Sequence, residues 1–174
     1  SNLNVSLSCS KEFSILIKDI EIIKALTLMI FCSPLWEKSL INIRKNLLFE
    51  YIETTKINKN ILKFLTSLGN QCFLNEYVYY VNQEEKLKLK EIKNSLNNKT
   101  NIEYKISLIS CYECLYSVKE VIECLKNYTS KNKDFNELID LQIKEVKEEK
   151  EISNQIYKLG NISDSISKKV KNQY

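Results

Sequence analysis

Gln71, Asn75 and Glu76 place two amides and a carboxylate inside the run Gln71-Cys72-Phe73-Leu74-Asn75-Glu76-Tyr77-Val78-Tyr79, which is otherwise apolar enough to be core. On a helix, Gln71 and Asn75 share one face at a four-residue spacing, and so do Cys72 and Glu76. Buried amides and carboxylates are costly unless each is hydrogen-bonded, so the pattern demands dedicated partners. Two kinds of chemistry fit: a satisfied polar network between helices, or an orienting site for a ligand or a neighbouring domain, with Tyr77 in the same contact set. Arg44 is the only arginine among 26 basic residues. Either compositional bias left it there, or its planar fork makes a bidentate contact that lysine cannot imitate. It lies on the helix before the one carrying Glu76, and a short connection favours antiparallel packing, so an Arg44–Glu76 contact is expected.

Other reactive constellations fail on inventory. The chain has no histidine, which removes Ser-His-Asp and Cys-His arrangements and most zinc-enzyme sites. Gly69 and Gly160 are the only glycines, so neither a dinucleotide turn nor a Walker loop can form. Cys111-Tyr112-Glu113-Cys114 is a lone Cys-x-x-Cys; even with Cys124 it falls short of the four ligands of structural zinc. The acidic pairs Glu84-Glu85 and Glu148-Glu149 lie in polar runs and read as solvated faces, with nothing to isolate a general acid from water. Catalytic, cofactor and metal residues are therefore expected to be absent from this chain.

The elements that must position the polar cluster read as helices. Two glycines and one proline among 174 residues are too few for turn-dependent β architectures or phosphate loops. An all-α fold follows, an irregular multi-helix bundle with a C-terminal helical connector. Residues 11–19 and 20–31 carry apolar residues at helical spacing, as one long helix or two. Ser33-Pro34 marks a cap and first helical position for a helix to about residue 53, burying Leu35, Leu40, Ile43, Leu47 and Tyr51. Asn58 caps a helix over residues 59–81 that carries the cluster, and Gly69 inside it implies close approach of a neighbouring backbone. Asn82 and Glu85 complete a capping-box pattern for a helix to about Leu96. Residues 102–116 and 118–128 read as two helices or one with a break near Ser117. A polar run at 128–134 suggests a boundary, giving a bundle domain over 3–128 and a connector over 129–174. A long helix from Phe135 to about Ile156 is followed by a stop at Gly160-Asn161 and a short terminal helix. Ser1-Asn2 resembles a tag remnant and is left out of fold reasoning.

Partners and compartment are only bounded by composition. A net charge of +4, from 26 basic and 22 acidic residues dispersed along the chain, argues against nucleic acid. The most apolar stretch, residues 20–32, is broken by Glu21 and Lys24 and is too short to span a bilayer. The six cysteines sit among apolar residues in a chain large enough to need no staples, and read as reduced thiols of a cytoplasmic protein.

The segment from Gln71 to Tyr79 resembles the QCFxNEYV block of a family of bacterial class I S-adenosylmethionine-dependent methyltransferases, many of which begin with tetratricopeptide repeats. Trp36-Glu37 through Arg44 to Leu47-Leu48 is similar to the acidic, leucine and arginine pattern ahead of that block. Leu141-Gln142-Ile143-Lys144-Glu145, Glu148-Glu149, the run from Ile162 to Ser167, Val170, Gln173 and Tyr174 resemble the connector into a QYEENPYPRW motif, of which only the first two letters are present. Where the family often has proline after the connector's glutamate, this chain has Val146, so the helix is expected to run on unkinked. The resemblance implies a non-catalytic helical module that positions substrate or supports a catalytic domain, with Gln173 and Tyr174 at the junction. S-adenosylmethionine is implied for the parent protein and not for this chain, whose partner is its own methyltransferase domain or another protein. The alternative is a freestanding helical interaction module that works through exposed apolar surface.

Overall fold

The computed structural model describes residues 10–52 and 57–156. Among them the regular structure is helical, with no strand. The helices are α1 (Lys11–Leu16), α2 (Ile20–Leu28), α3 (Pro34–Glu50), α4 (Lys59–Leu74), α5 (Gln83–Asn94), α6 (Ile102–Ser110), α7 (Lys119–Leu125), α8 (Lys133–Ile139) and α9 (Val146–Gln155). Two short 3₁₀ turns cover Ser95–Asn98 and Leu115–Ser117. A π-helical turn, Asp140–Glu145, joins α8 to α9.

Polar side chains fix where these helices begin. Asp19 accepts from the backbone N–H groups of Glu21 and Ile22 and divides α1 from α2, resolving the one-or-two alternative in favour of two. Asn58 caps α4, and Asn82 with Glu85 forms the expected capping box on α5. Pro34 opens α3 as expected, though Ser33 makes no side-chain capping bond. Of the residues assigned to the apolar face of α3, Leu40, Leu47 and Tyr51 are buried, whereas Leu35 is 75% exposed. Leu35 lies in the first turn, at a corner where Leu28, Met29 and Ile30 are exposed as well.

The core is built around α4, in which every residue from Phe64 to Cys72 is buried. A helix buried all round must be packed on several sides, and α2, α6 and α8 pack against it. At Gly69, α4 packs tightly on α6: a Cβ there would collide with the Ser110 Oγ. The neighbour that comes close is thus a serine side chain. Phe135 and Leu138 bury α8 in the same core, while α9 has no buried residue. Within the 129–174 connector, the part that leaves the bundle therefore starts at α9.

One helix boundary differs in a way that matters. The helix expected over 59–81 stops at Leu74, with Asn75 as its C-cap. Glu76 and Tyr77 follow at φ 56° and 58°, a left-handed conformation that costs a non-glycine residue roughly 1–2 kcal/mol. The chain turns there and runs without helix to Asn82, so Glu76 no longer shares a helical face with Cys72. The expected stop at Gly160-Asn161, the terminal helix and the Gln173–Tyr174 junction lie outside the described residues.

Candidate functional site

Arg44 is fully buried. Its Nη2 donates to the Tyr80 carbonyl at 2.8 Å and its Nη1 to the Cys111 carbonyl at 3.2 Å. The guanidinium lies 4.2 Å above the centre of the Tyr112 ring and 5.8 Å from that of Tyr79. Its carboxylate partner is Glu85, 3.8 Å away and buried, and not Glu76, which is exposed. The Arg44–Glu76 contact is corrected by the turn after Leu74, which carries Glu76 outward. Glu85 also departs from the solvated reading: Oε1 accepts from the Tyr112 hydroxyl at 3.0 Å, and Oε2 accepts from the Asn82 backbone N–H at 3.1 Å. One carboxylate thus caps α5, receives a phenol and neutralises a guanidinium. Burial pushes the Tyr112 pKa well above the usual phenol range, against the pull of Arg44.

Gln142 forms a second buried centre, at the heart of the π turn. Its Oε1 accepts from the Tyr77 hydroxyl at 3.0 Å and the Leu115 N–H at 3.4 Å. Its Nε2 donates to the Gly69 carbonyl at 2.9 Å and the Ser110 carbonyl at 3.4 Å. Its own carbonyl accepts from the Cys114 Sγ at 3.5 Å. A primary amide offers two donors and one two-lone-pair acceptor, so the side chain is saturated. The missing Cβ of Gly69 lets α4 and α6 come close, and carbonyls from both meet one amide group. The Tyr77 phenol is held far above its ordinary pKa, chiefly by burial and next by Cys114.

Between these centres runs the segment 75–82. Asn75 and Tyr79 point inward, and the Tyr77 hydroxyl reaches Gln142; Glu76, Val78 and Tyr80 point outward, Val78 and Tyr80 at 70% and 74% exposure. Burial, followed by the nearby Cys72, raises the Tyr79 pKa to about 12, with Asn75 acting in the opposite direction. Of the predicted residues, Arg44 and Tyr77 clamp this loop from inside, Asn75 lines its inner side and Glu76 lies on its outer side. Gln71 and Asn75 are buried, but neither side-chain amide has a hydrogen-bond partner, so the expected satisfied network includes neither. Glu85, Gln142, Tyr79 and Tyr112 were not among the predicted set. Gln142 carries the same signal as Gln71, an amide flanked by Leu141 and Ile143.

The chemistry of this arrangement is positional. The guanidinium and carboxylate are enclosed, and of the guanidinium nitrogens only Nε has no hydrogen-bond partner, so this pair does not face an open cavity. An open groove of about 570 Å³ lies elsewhere, between α7, α8 and the π turn, floored by Ile122, Leu125, Phe135 and Ile139. The charges on its rim, Asp140 and Lys144, are paired with each other. Among the described residues no three His, Cys, Asp or Glu side chains could hold a metal ion, the five cysteines are free thiols, and no helix is long and apolar enough to cross a membrane. Comparisons with protein-family models, curated proteins and solved structures return no match to this chain.

Proposed function

We propose that the chain is a non-catalytic helical module that presents a rigid contact loop, and that it serves a S-adenosylmethionine-dependent methyltransferase by positioning substrate or supporting the catalytic domain. The observation that carries the contact role is the division of the loop. The Tyr80 carbonyl and the Tyr77 hydroxyl are fixed to Arg44 and Gln142, while the side chains of Glu76, Val78 and Tyr80 are left outside. A surface ordered before binding loses little entropy on binding, and an exposed tyrosine beside an aliphatic residue is the composition of an interface anchor. The methyltransferase part rests on the resemblance of this same segment to the QCFxNEYV block.

The exposed corner Leu28, Met29, Ile30 and Leu35 favours a second reading, a freestanding interaction module that uses apolar surface instead of the loop. The two readings separate in one experiment on the whole gene product. The reading frame beyond the Tyr174 codon should continue into a glycine-rich strand–turn–helix, and the product should transfer methyl groups. Val78→Asp with Tyr80→Ala should then lower kcat/KM by about 30-fold, the equivalent of one interface anchor, with the circular dichroism unchanged. A frame without a cofactor-binding domain would remove the methyltransferase reading, and a loop variant with full activity would remove the loop as its contact. Activity that falls instead on Leu28→Asp with Leu35→Asp would assign the contact to the corner.

A further inference from the structure

We infer that Gln142 is a positioning residue that couples the contact loop to the projecting helix α9, through a turn with two available registers. This deepens the reading of the loop as a contact surface and rests on it. A π turn holds one residue more than an α-helical turn at the same place, and such turns stay only where outside contacts hold them open. Here the holding contacts are those of one side chain to four separate places: Tyr77 in the loop, Gly69 in α4, Ser110 in α6 and Leu115 in the following 3₁₀ turn. Three of these are main-chain groups of the core. The fourth is the hydroxyl of Tyr77, a residue in left-handed backbone on a loop.

The helix beyond the turn has little else to fix it. Val146 is half-buried, every residue of α9 after it is exposed, and Lys150 rests on the Tyr116 ring at 4.1 Å. When the Tyr77 bond is lost, the Gln142 amide is held less firmly and the surplus residue can pass toward the open end of α9. The turn then closes to α-helical bonding and α9 rotates by about 100°, the angle of one residue. Displacement of the loop by a bound partner would reach α9 by this route, because both ends act on one amide.

Hydrogen exchange on the chain alone tests the coupling. Tyr77→Phe removes one hydroxyl and keeps the ring, so the fold survives. It should raise exchange of amides in residues 141–150 about fivefold, while α5, on the other side of the loop, keeps its protection. Gln142→Met should do the same at 141–150 and also at the Glu76 and Tyr77 amides, which are bonded to the Phe73 and Cys72 carbonyls. Unchanged exchange at 141–150 in Tyr77→Phe overturns the coupling, and so does an equal rise in α5, the mark of plain global destabilisation. The result is independent of any partner, so failure of the methyl-transfer assays and failure of the coupling can be told apart.

Discussion

Arg44 and Gln142 grip the same loop by different physics. Arg44 is a charge enclosed in the core, held by two carbonyls, a carboxylate at 3.8 Å and an aromatic face at 4.2 Å. Gln142 is neutral and spends its hydrogen-bonding capacity on direct contacts of 2.9–3.4 Å. Enclosing a charge has a large desolvation cost that only a complete set of partners offsets, whereas a neutral amide needs only its own bonds satisfied. The ionic clamp should therefore fail abruptly when one partner is removed, and the amide clamp should weaken by degrees.

The largest expected effect breaks the ionic clamp. Arg44→Ala leaves Glu85 buried without its cation and should cost about 3–5 kcal/mol in chemical denaturation, while replacing both residues by methionine should recover much of the loss. A double-mutant cycle for Arg44 and Glu85 with coupling near zero would show that the carbonyl and ring contacts do the holding. Arg44→Lys should not rescue, because an ammonium cannot reproduce the planar fork.

Alkaline pH probes the same side of the loop. Tyr79, beside Arg44, has a folded-state pKa of about 12, above the ordinary tyrosine value of 10.0. Below pH 10 both states keep the proton and the contribution is complete. Between pH 10 and 12 Tyr79 ionises only in the unfolded chain, so its own contribution falls by about 1.4 kcal/mol per pH unit, on the order of 2–3 kcal/mol in all, on top of that from the other buried tyrosines. Tyr79→Phe should flatten that slope relative to the parent chain; an unchanged slope would place the phenol in contact with water.

On the neutral side, Gln142→Met keeps the volume and loses the bonds, at an expected cost of about 2 kcal/mol. A loss as large as that of Arg44→Ala would erase the contrast between the clamps. The smallest effect is at the strained turn itself. Glu76→Gly relieves a left-handed residue whose side chain is exposed and should stabilise by up to about 1 kcal/mol, read as a rise in Tm. Destabilisation there would mean that the Glu76 side chain holds the loop.

The helical fold was legible because its signals are local. Asn58, Asn82 with Glu85, and Pro34 act within a few residues of themselves, and each sits where the pattern puts it. Arg44 was legible too, as an arginine in a lysine-rich chain, but its partner was not. Apolar residues continue past Leu74, so periodicity alone cannot end α4, and the contacts that hold the turned chain, Arg44 to the Tyr80 carbonyl and Gln142 to the Tyr77 hydroxyl, come from distant elements. Glu85 was read by its capping pattern, which gives no sign that its other oxygen meets a buried guanidinium. Gln142 has the least local signal: its role depends on carbonyls at Gly69 and Ser110, far away in sequence, and on a π turn made by those contacts.

The exposure of α9 sets a reach. Ten residues in helix span about 15 Å, and the same residues drawn out span about 33 Å. No buried side chain selects between those lengths within α9, and the contacts that favour the helix are surface ones, Lys150 on the Tyr116 ring and an exposed ion pair. Within α9 Lys147 with Glu151 is an exposed pair at helical spacing in the less favourable order, with lysine first, while Asp140 with Lys144 lies in the π turn before it. Such pairs weaken as salt screens them, over a distance of about 8 Å at physiological ionic strength. α9 is thus a spacer kept in its short form by surface contacts alone, its ion pair worth about 0.2–0.5 kcal/mol, and it should lose a little helix as salt rises.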